Sequence, residues 1–145
     1  MEIINEMRLM FLSKSENESF ARVTAASFIS QLDPTVSELV EVKTAVSEAV
    51  SNAVIHGYDG TIGIITLEMR ISDTRLIEIT VTDSGRGIAD IEKAREPLFT
   101  TKENEERAGM GFTVMETFMD SLQVESQLGH GTKILMKKRL DATHT

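Results

Sequence analysis

Leu76-Ile77-Glu78-Ile79-Thr80-Val81-Thr82-Asp83-Ser84-Gly85-Arg86-Gly87-Ile88 is the stretch on which the fold turns. An apolar strand over 76–82 runs directly into an acid and a loop with two glycines. An Asp that closes a strand sits at the sheet end, partly buried, as an acceptor. Gly85 and Gly87 let backbone approach a flat ligand closely. An ionised carboxylate accepts from an exocyclic amine and repels a carbonyl, which favours adenine over guanine. The same residues also spell an ordinary turn, so the loop alone leaves both readings open.

Outward from it, the segment 62–71 pairs with 76–82 as a hairpin around Ser72-Asp73-Thr74-Arg75. Upstream, Met7, Leu9 and Phe11 give 3–12 one apolar side of a strand. Ser15 with Glu16 and Glu18 starts a helix that Asp33-Pro34 stops near Leu32. Thr35 and Glu38 form a capping-box pattern for a second helix reaching His56. Its buried stripe is Leu39, Val42, Val46, Val50, Ala53 and Val54, with Gly57 expected as a left-handed C-cap. Downstream come a short helix (89–95), a polar stretch (100–109), a helix over 112–119, and strands over 122–126 and 132–138 around Gly129-His130-Gly131. Helices and antiparallel strands in blocks imply an α+β fold, a two-layer α/β sandwich whose mostly antiparallel sheet is covered by helices on one face. Residues 1–145 read as a single domain.

Composition narrows the function. The 145 residues carry 15 Lys+Arg against 23 Asp+Glu, a net charge of −8, and no cysteine. Thiolate chemistry and Cys-based zinc sites are excluded, and the composition fits a reducing cytoplasm. An acidic chain is a poor match for a nucleic-acid backbone, so no direct nucleic-acid partner is expected. No apolar run has the length of a membrane helix, so no membrane partner is expected either.

Two further motifs carry chemistry. In Glu48-Ala49-Val50-Ser51-Asn52-Ala53 the acid and the amide stand four apart on one helix face, beside the core stripe. Together they suit an oxygen-seeking cation such as Mg²⁺, although an exposed helix pair has the same spacing. In Arg107-Ala108-Gly109-Met110-Gly111-Phe112 two glycines lead into a helix, where free N–H groups favour phosphate. Lys102 and Arg107 add local positive charge, and a hinged surface loop is the alternative. No GxxxxGK[ST] or GxGxxG sequence is present.

In this order, the three motifs resemble the N, G1 and G2 boxes of the GHKL superfamily of gyrase, Hsp90, histidine kinases and MutL. The resemblance implies the Bergerat fold, with ATP between the helix layer and a lid, and Mg²⁺ beside it. It makes Glu48 the general base and Asn52 the Mg²⁺ ligand. Asp83 becomes the adenine-amino acceptor, Gly85 and Gly87 the base-pocket lining, and Thr132 a second polar contact near adenine. It sets Thr100, Thr101, Lys102, Arg107, Gly109, Met110 and Gly111 along the nucleotide at the lid.

No His stands between Met1 and the Glu48 motif, where a histidine kinase would need its phosphoacceptor. Asn17-Glu18-Ser19-Phe20-Ala21-Arg22, Gln31-Leu32-Asp33-Pro34-Thr35, Asn52 through Tyr58, and Pro97-Leu98-Phe99-Thr100-Thr101-Lys102 instead resemble the stand-alone bacterial anti-sigma serine kinases of sporulation. That resemblance implies a homodimer that binds sigma factor F when ATP is bound and phosphorylates a serine of a small anti-anti-sigma protein. Arg22, flanked by Phe20 and Val23, is nominated for partner binding, since Arg among apolar side chains is typical of interface hot spots. A stress-response kinase of the same family and an ATP-gated binding module without transfer are the alternatives.

Overall fold

The computed structural model describes residues 1–96 and 108–142, with backbone alone at 108–110. The elements run β1 (Ile3–Leu12), α1 (Glu16–Ile29), a 3-10 turn (Ser30–Leu32), α2 (Val36–Asn52), a π turn (Ala53–Gly57), β2 (Ile64–Ser72), β3 (Leu76–Asp83), α3 (Ile91–Ala94), α4 (Ala108–Phe118), β4 (Ser121–Ser126) and β5 (Thr132–Arg139). The five strands form one antiparallel sheet in the order β1-β2-β3-β5-β4.

Alternation builds the two layers. Ile65, Leu67, Met69 and Ile71 on β2, Ile77, Ile79 and Val81 on β3, and Ile134 and Met136 on β5 are all buried. They share a core with Ala21, Ala25 and Ile29 of α1, Val42, Val46 and Val50 of α2, and Phe112 and Met115 of α4. The intervening side chains face water as a ladder of ion pairs, Arg8–Glu68, Glu6–Arg70, Arg70–Glu78 and Glu78–Lys137. Exposed pairs of this kind contribute about 0–1 kcal/mol each. The core, not the ladder, holds the sheet to the helices.

Three local expectations are corrected. Gly57 is no left-handed cap: positive φ falls at Asp59 (41°) and Gly60 (85°). The helix instead widens into the π turn, closed by Tyr58 N–H donating to Ala53 O at 3.0 Å. Ser15 has helical angles and no side-chain capping bond, while its hydroxyl meets Glu16 Oε1 at 3.1 Å. α4 begins at Ala108, so Gly109 and Gly111 lie inside its first turn instead of before it.

Glu38 secures the opposite end of the molecule. Its amide donates to Thr35 Oγ1 at 3.1 Å and its Oε1 accepts from Thr35 N–H at 2.9 Å, completing the capping box. Oε2 accepts from Asp141 N–H at 2.8 Å, tying the end of β5 to the start of α2. Arg75 adds bonds to Leu32 O and Asp141 O at 2.7 and 2.6 Å. Burial pushes the Glu38 carboxyl up, but the bonds from Thr35 and Asp141 and the charge of Arg75 outweigh it and leave it below its ordinary value. A depressed carboxylate contributes stability that is present above its unfolded pKa and lost as pH falls through the folded one. Glu38→Ala is expected to lower urea stability by about 1–3 kcal/mol at neutral pH, with a smaller difference from the parent in acid.

Candidate functional site

The site forms where β3 ends and β5 begins, against the π turn that follows α2. Asp83 is the last residue of β3, opposite Thr132 in register, and only 5% exposed. Its Oδ1 accepts from Gly85 N–H at 2.9 Å, which bends the chain out of the sheet. Burial pushes the carboxyl above its ordinary value, against the pull of the Gly85 and Thr132 amides. Asp83 is a carboxylate kept from water, and its partners among the described residues are the Gly85 and Thr132 amides.

Glycine backbone makes that burial possible. A Cβ on Gly57 would fall 2.9 Å from Asp83 Cγ and Oδ1, and one on Gly85 would fall 2.0 Å from Gly57 O. On Gly131 it would fall 2.1 Å from Asp83 O. A side chain at any of the three would displace the acid or its loop. Gly87 answers a different need: at φ +76° it is left-handed, and a Cβ would meet Gln127 O at 2.2 Å. It packs the loop on the β4–β5 turn, a reason the sequence did not suggest.

The loop is tied down from both sides. Arg86 N–H donates to Gly57 O at 2.8 Å, and the Arg86 guanidinium meets Asp59 at 3.2 Å. Tyr58 lies against Gly63, where a Cβ would fall 2.1 Å from its ring. Its hydroxyl donates to Ile64 O at 2.5 Å and accepts from Ser84 N–H at 2.8 Å. On the other side, Ser126 Oγ accepts from Ile88 N–H at 2.7 Å and donates to Gly131 O at 2.9 Å. With that proton committed, the Thr132 hydroxyl, 2.8 Å away, donates to Ser126 and keeps its lone pairs.

Asn52 closes α2 immediately before the π turn, and Glu48 projects one helical turn earlier; each is half-buried. Interrupted helices of this kind recur at functional sites. A Cβ on Gly111 would lie 3.3 Å from Glu48 Oε2, so the first turn of α4 abuts the acid. The structure thus brings Glu48 to Gly111, and Asp83 to Gly85, Thr132 and the end of the helix that bears Asn52. Gly109 is in the same first turn, whose N–H groups have no partner within the helix. Thr100, Thr101, Lys102 and Arg107 lie outside the described residues, as does the side chain of Met110.

Arg22 lies apart from the loop but not from α2. Its guanidinium bonds Ser19 and Ser47 hydroxyls, both at 3.3 Å, and Ser47 immediately precedes Glu48. Phe20 and Val23 beside it are 51% and 58% exposed. Sequence reasoning missed Tyr58, Ser126, Gly131 and the true place of Gly57. Tyr58 had one available signal, as the sole tyrosine of the chain directly after the glycine of a helix end.

Residues 11–138 match the family described as histidine kinase-like ATPase domain. A protein named Anti-sigma F factor from Thermoanaerobacter sp. (strain X514) is 62% identical over 138 residues, covering 95% of this chain and 96% of that one. Its namesake in Clostridium acetobutylicum is 61% identical over 135 residues, covering 93% and 94%. Among solved structures, the RsbU and RsbW domains of Rv1364c from Mycobacterium tuberculosis superpose with a TM-score of 0.67 at 17% identity, over 94% of this chain and 32% of that one. Mycobacterial sensor histidine kinase MprB superposes with a TM-score of 0.56 at 14% identity, over 94% and 100%. These two speak for the shared fold alone. Identity near three-fifths across almost the full length of both chains says more, and by it the protein belongs to the anti-sigma F factor family, built on a histidine kinase-like ATPase domain.

Proposed function

We propose that the protein is an ATP-dependent serine kinase and, in its ATP-bound state, an inhibitor of sporulation sigma factor F. In this reading a cytoplasmic homodimer withholds sigma from core RNA polymerase. It also phosphorylates a serine of a small anti-anti-sigma protein and so inactivates its own antagonist. The observation that carries the nucleotide reading is the buried Asp83 carboxylate, framed by Gly57, Gly85 and Gly131 at the end of α2. The relatives' printed name supports the sigma partner.

The residues present fit ATP with Mg²⁺. Asp83 is an acceptor for the adenine amino group, and Thr132, opposite it, offers hydroxyl lone pairs to the same ring. Gly85 lines the base, and Gly87 holds the loop that carries it. Asn52 is the protein's ligand to Mg²⁺. Among the described residues no three His, Asp or Glu side chains gather as a metal cage, and Mg²⁺ characteristically uses few protein ligands beside phosphate oxygens. Gly109 and Gly111 present helix-start amides to phosphate, and Thr100, Thr101, Lys102, Arg107 and Met110 are further proposed contacts to the nucleotide. Glu48 receives the serine proton as that oxygen bonds the γ-phosphorus and ADP departs. Positioning and charge stabilisation supply most of the rate in such transfers. Arg22, held at the α1–α2 seam by Ser47, presents Phe20 and Val23 to the protein partner.

The first test is base selectivity. ATP should bind roughly 10- to 100-fold more tightly than GTP, and Asp83→Asn, which supplies a donor, should narrow that ratio. A raised carboxyl pKa costs stability as pH climbs from the unfolded to the folded value. The nucleotide-free Asn variant should therefore melt no lower than the parent at neutral pH. Equal ATP and GTP affinity in the parent removes Asp83 from base recognition. As pH drops through the raised value, Asp83 gains a proton and can donate to guanine, so the ATP preference should shrink above the ordinary Asp range.

The second test separates the two α2 residues. Asn52→Ala should weaken Mg-ATP binding and ATP-dependent sigma capture together. Glu48→Gln should keep both while serine phosphorylation falls by roughly 10²–10⁴. Nucleotide affinity, sigma pull-down and phosphoserine formation on both variants check this. Near-normal phosphorylation by the Gln variant excludes Glu48 as base, and no phosphoserine from the parent leaves a binding module.

A further inference from the structure

We propose that Ser126 is the positioning residue by which the site prefers a 6-amino to a 6-oxo purine, because it holds the Thr132 hydroxyl as an acceptor beside Asp83. The proposal rests on the nucleotide reading of the preceding section and adds to it a residue one strand behind the base contact.

The register sets the three side chains in one row. Asp83 on β3 is the direct partner of Thr132 on β5, and Thr132 is the direct partner of Ser126 on β4. Direct cross-strand partners share a face of the sheet. The next two rows on that face, Val81–Ile134–Val124 and Ile79–Met136–Leu122, are apolar throughout. Only at the end of the sheet does the pattern turn polar across all three strands. Thr132 is itself buried, where a Val would offer the same branched shape without a polar atom to satisfy. Its hydroxyl therefore serves something other than packing.

A count of protons shows what that is. The Ser126 hydroxyl has one proton and two lone pairs. Gly131 O lies 2.9 Å from it and, as a carbonyl, can only accept, so the proton goes there. Ile88 N–H donates to one lone pair at 2.7 Å. Thr132 Oγ1, at 2.8 Å, donates to the other. The Thr132 proton is thus spent toward β4, and its lone pairs are what remain for a ligand. Asp83, while ionised, also only accepts. The row ends in two neighbouring acceptors. An exocyclic amine carries two protons, one for each. A carbonyl at the same ring position meets two acceptors and satisfies neither, and a site with its polar groups so fixed rejects the analogue that lacks the donor. Without Ser126 the Thr132 hydroxyl can turn and donate to that carbonyl, which leaves the discrimination to Asp83 alone.

ATP and inosine triphosphate test this directly, since their bases differ only at the 6-substituent and in the proton on ring N1. Titrations with the Mg-nucleotides should show the parent binding ATP more tightly. Ser126→Ala should reduce the ATP-to-inosine-triphosphate affinity ratio about 3- to 10-fold, chiefly through tighter binding of the inosine nucleotide. Ser126→Thr, which keeps the hydroxyl, should hold the parent's ratio to within about twofold. In a Thr132→Val background, with no hydroxyl left to orient, adding Ser126→Ala should move the ratio by less than about twofold. A Ser126 that only supports the fold would weaken both nucleotides alike and leave the ratio where it was. Should the Ala variant not fold, Ser126→Cys, whose sulfur is a weak donor and acceptor, carries the same expectation. An unmoved ratio, a ratio that Ser126→Thr also loses, or an equal effect in the Thr132→Val background each overturns the proposal. If the parent prefers ATP while the Ser126 variants leave that preference intact, the nucleotide reading stands and this proposal falls alone. If the parent binds neither nucleotide, or both equally, the two fall together.

Discussion

The site depends on one costly act, the burial of the Asp83 carboxylate. An isolated ionised acid loses several kcal/mol on leaving water unless hydrogen bonds replace its hydration. Asp83 receives backbone amides from Gly85 and Thr132 and remains above its ordinary pKa, so the compensation is partial. An acceptor left short of donors in a dry place is a strong recognition element, since a ligand that brings a donor relieves the deficit and one that brings a carbonyl deepens it.

Most of the neighbouring structure follows from holding that acid in place. The end of α2 must come within van der Waals distance of Asp83, which requires Gly57. The loop after β3 must fold back under Gly57 O, which requires Gly85. The π turn lies where the helix meets β3, with Gly57 at its end against Asp83, while Glu48, further back on α2, abuts Gly111 of α4. Thr132 and Gly131 enter from β5, because antiparallel pairing sets Thr132 opposite Asp83. If Asp83 and Glu48 act as proposed, base recognition at the end of β3 and proton handling on α2 are set at different points along that helix.

The legible part of this arrangement was whatever local chemistry dictates. Strand alternation, the Thr35–Glu38 box and the Asp83-Ser84-Gly85 loop could be read because each is set by residues within a few positions. Gly57 was misjudged for the opposite reason. A glycine after a helix usually relieves left-handed backbone, but this one makes room for a side chain 26 residues later, a demand with no local trace. Beyond its being the sole tyrosine nothing local marks Tyr58, and nothing marks Ser126, since their hydroxyls serve amides at Ser84 and Ile88. Gly109 and Gly111 lie in a helix that begins at Ala108, earlier than the sequence suggests, because glycine argues against helix interiors.

Those long-range bonds also connect the edge strand to the base loop through a short series of contacts. Ser13, just past β1, exchanges bonds with Gly63, its amide donating at 2.9 Å and its hydroxyl accepting at 3.0 Å. Gly63 lies under the Tyr58 ring, and the Tyr58 hydroxyl holds both Ile64 O and the amide of Ser84, the residue after Asp83. The four hydrogen bonds run from 2.5 to 3.0 Å and each has at least one backbone partner, so the two ends are coupled through them. Whatever fixes β1 also fixes the strand end from which Tyr58 is hung, and with it the loop that orients the buried acid.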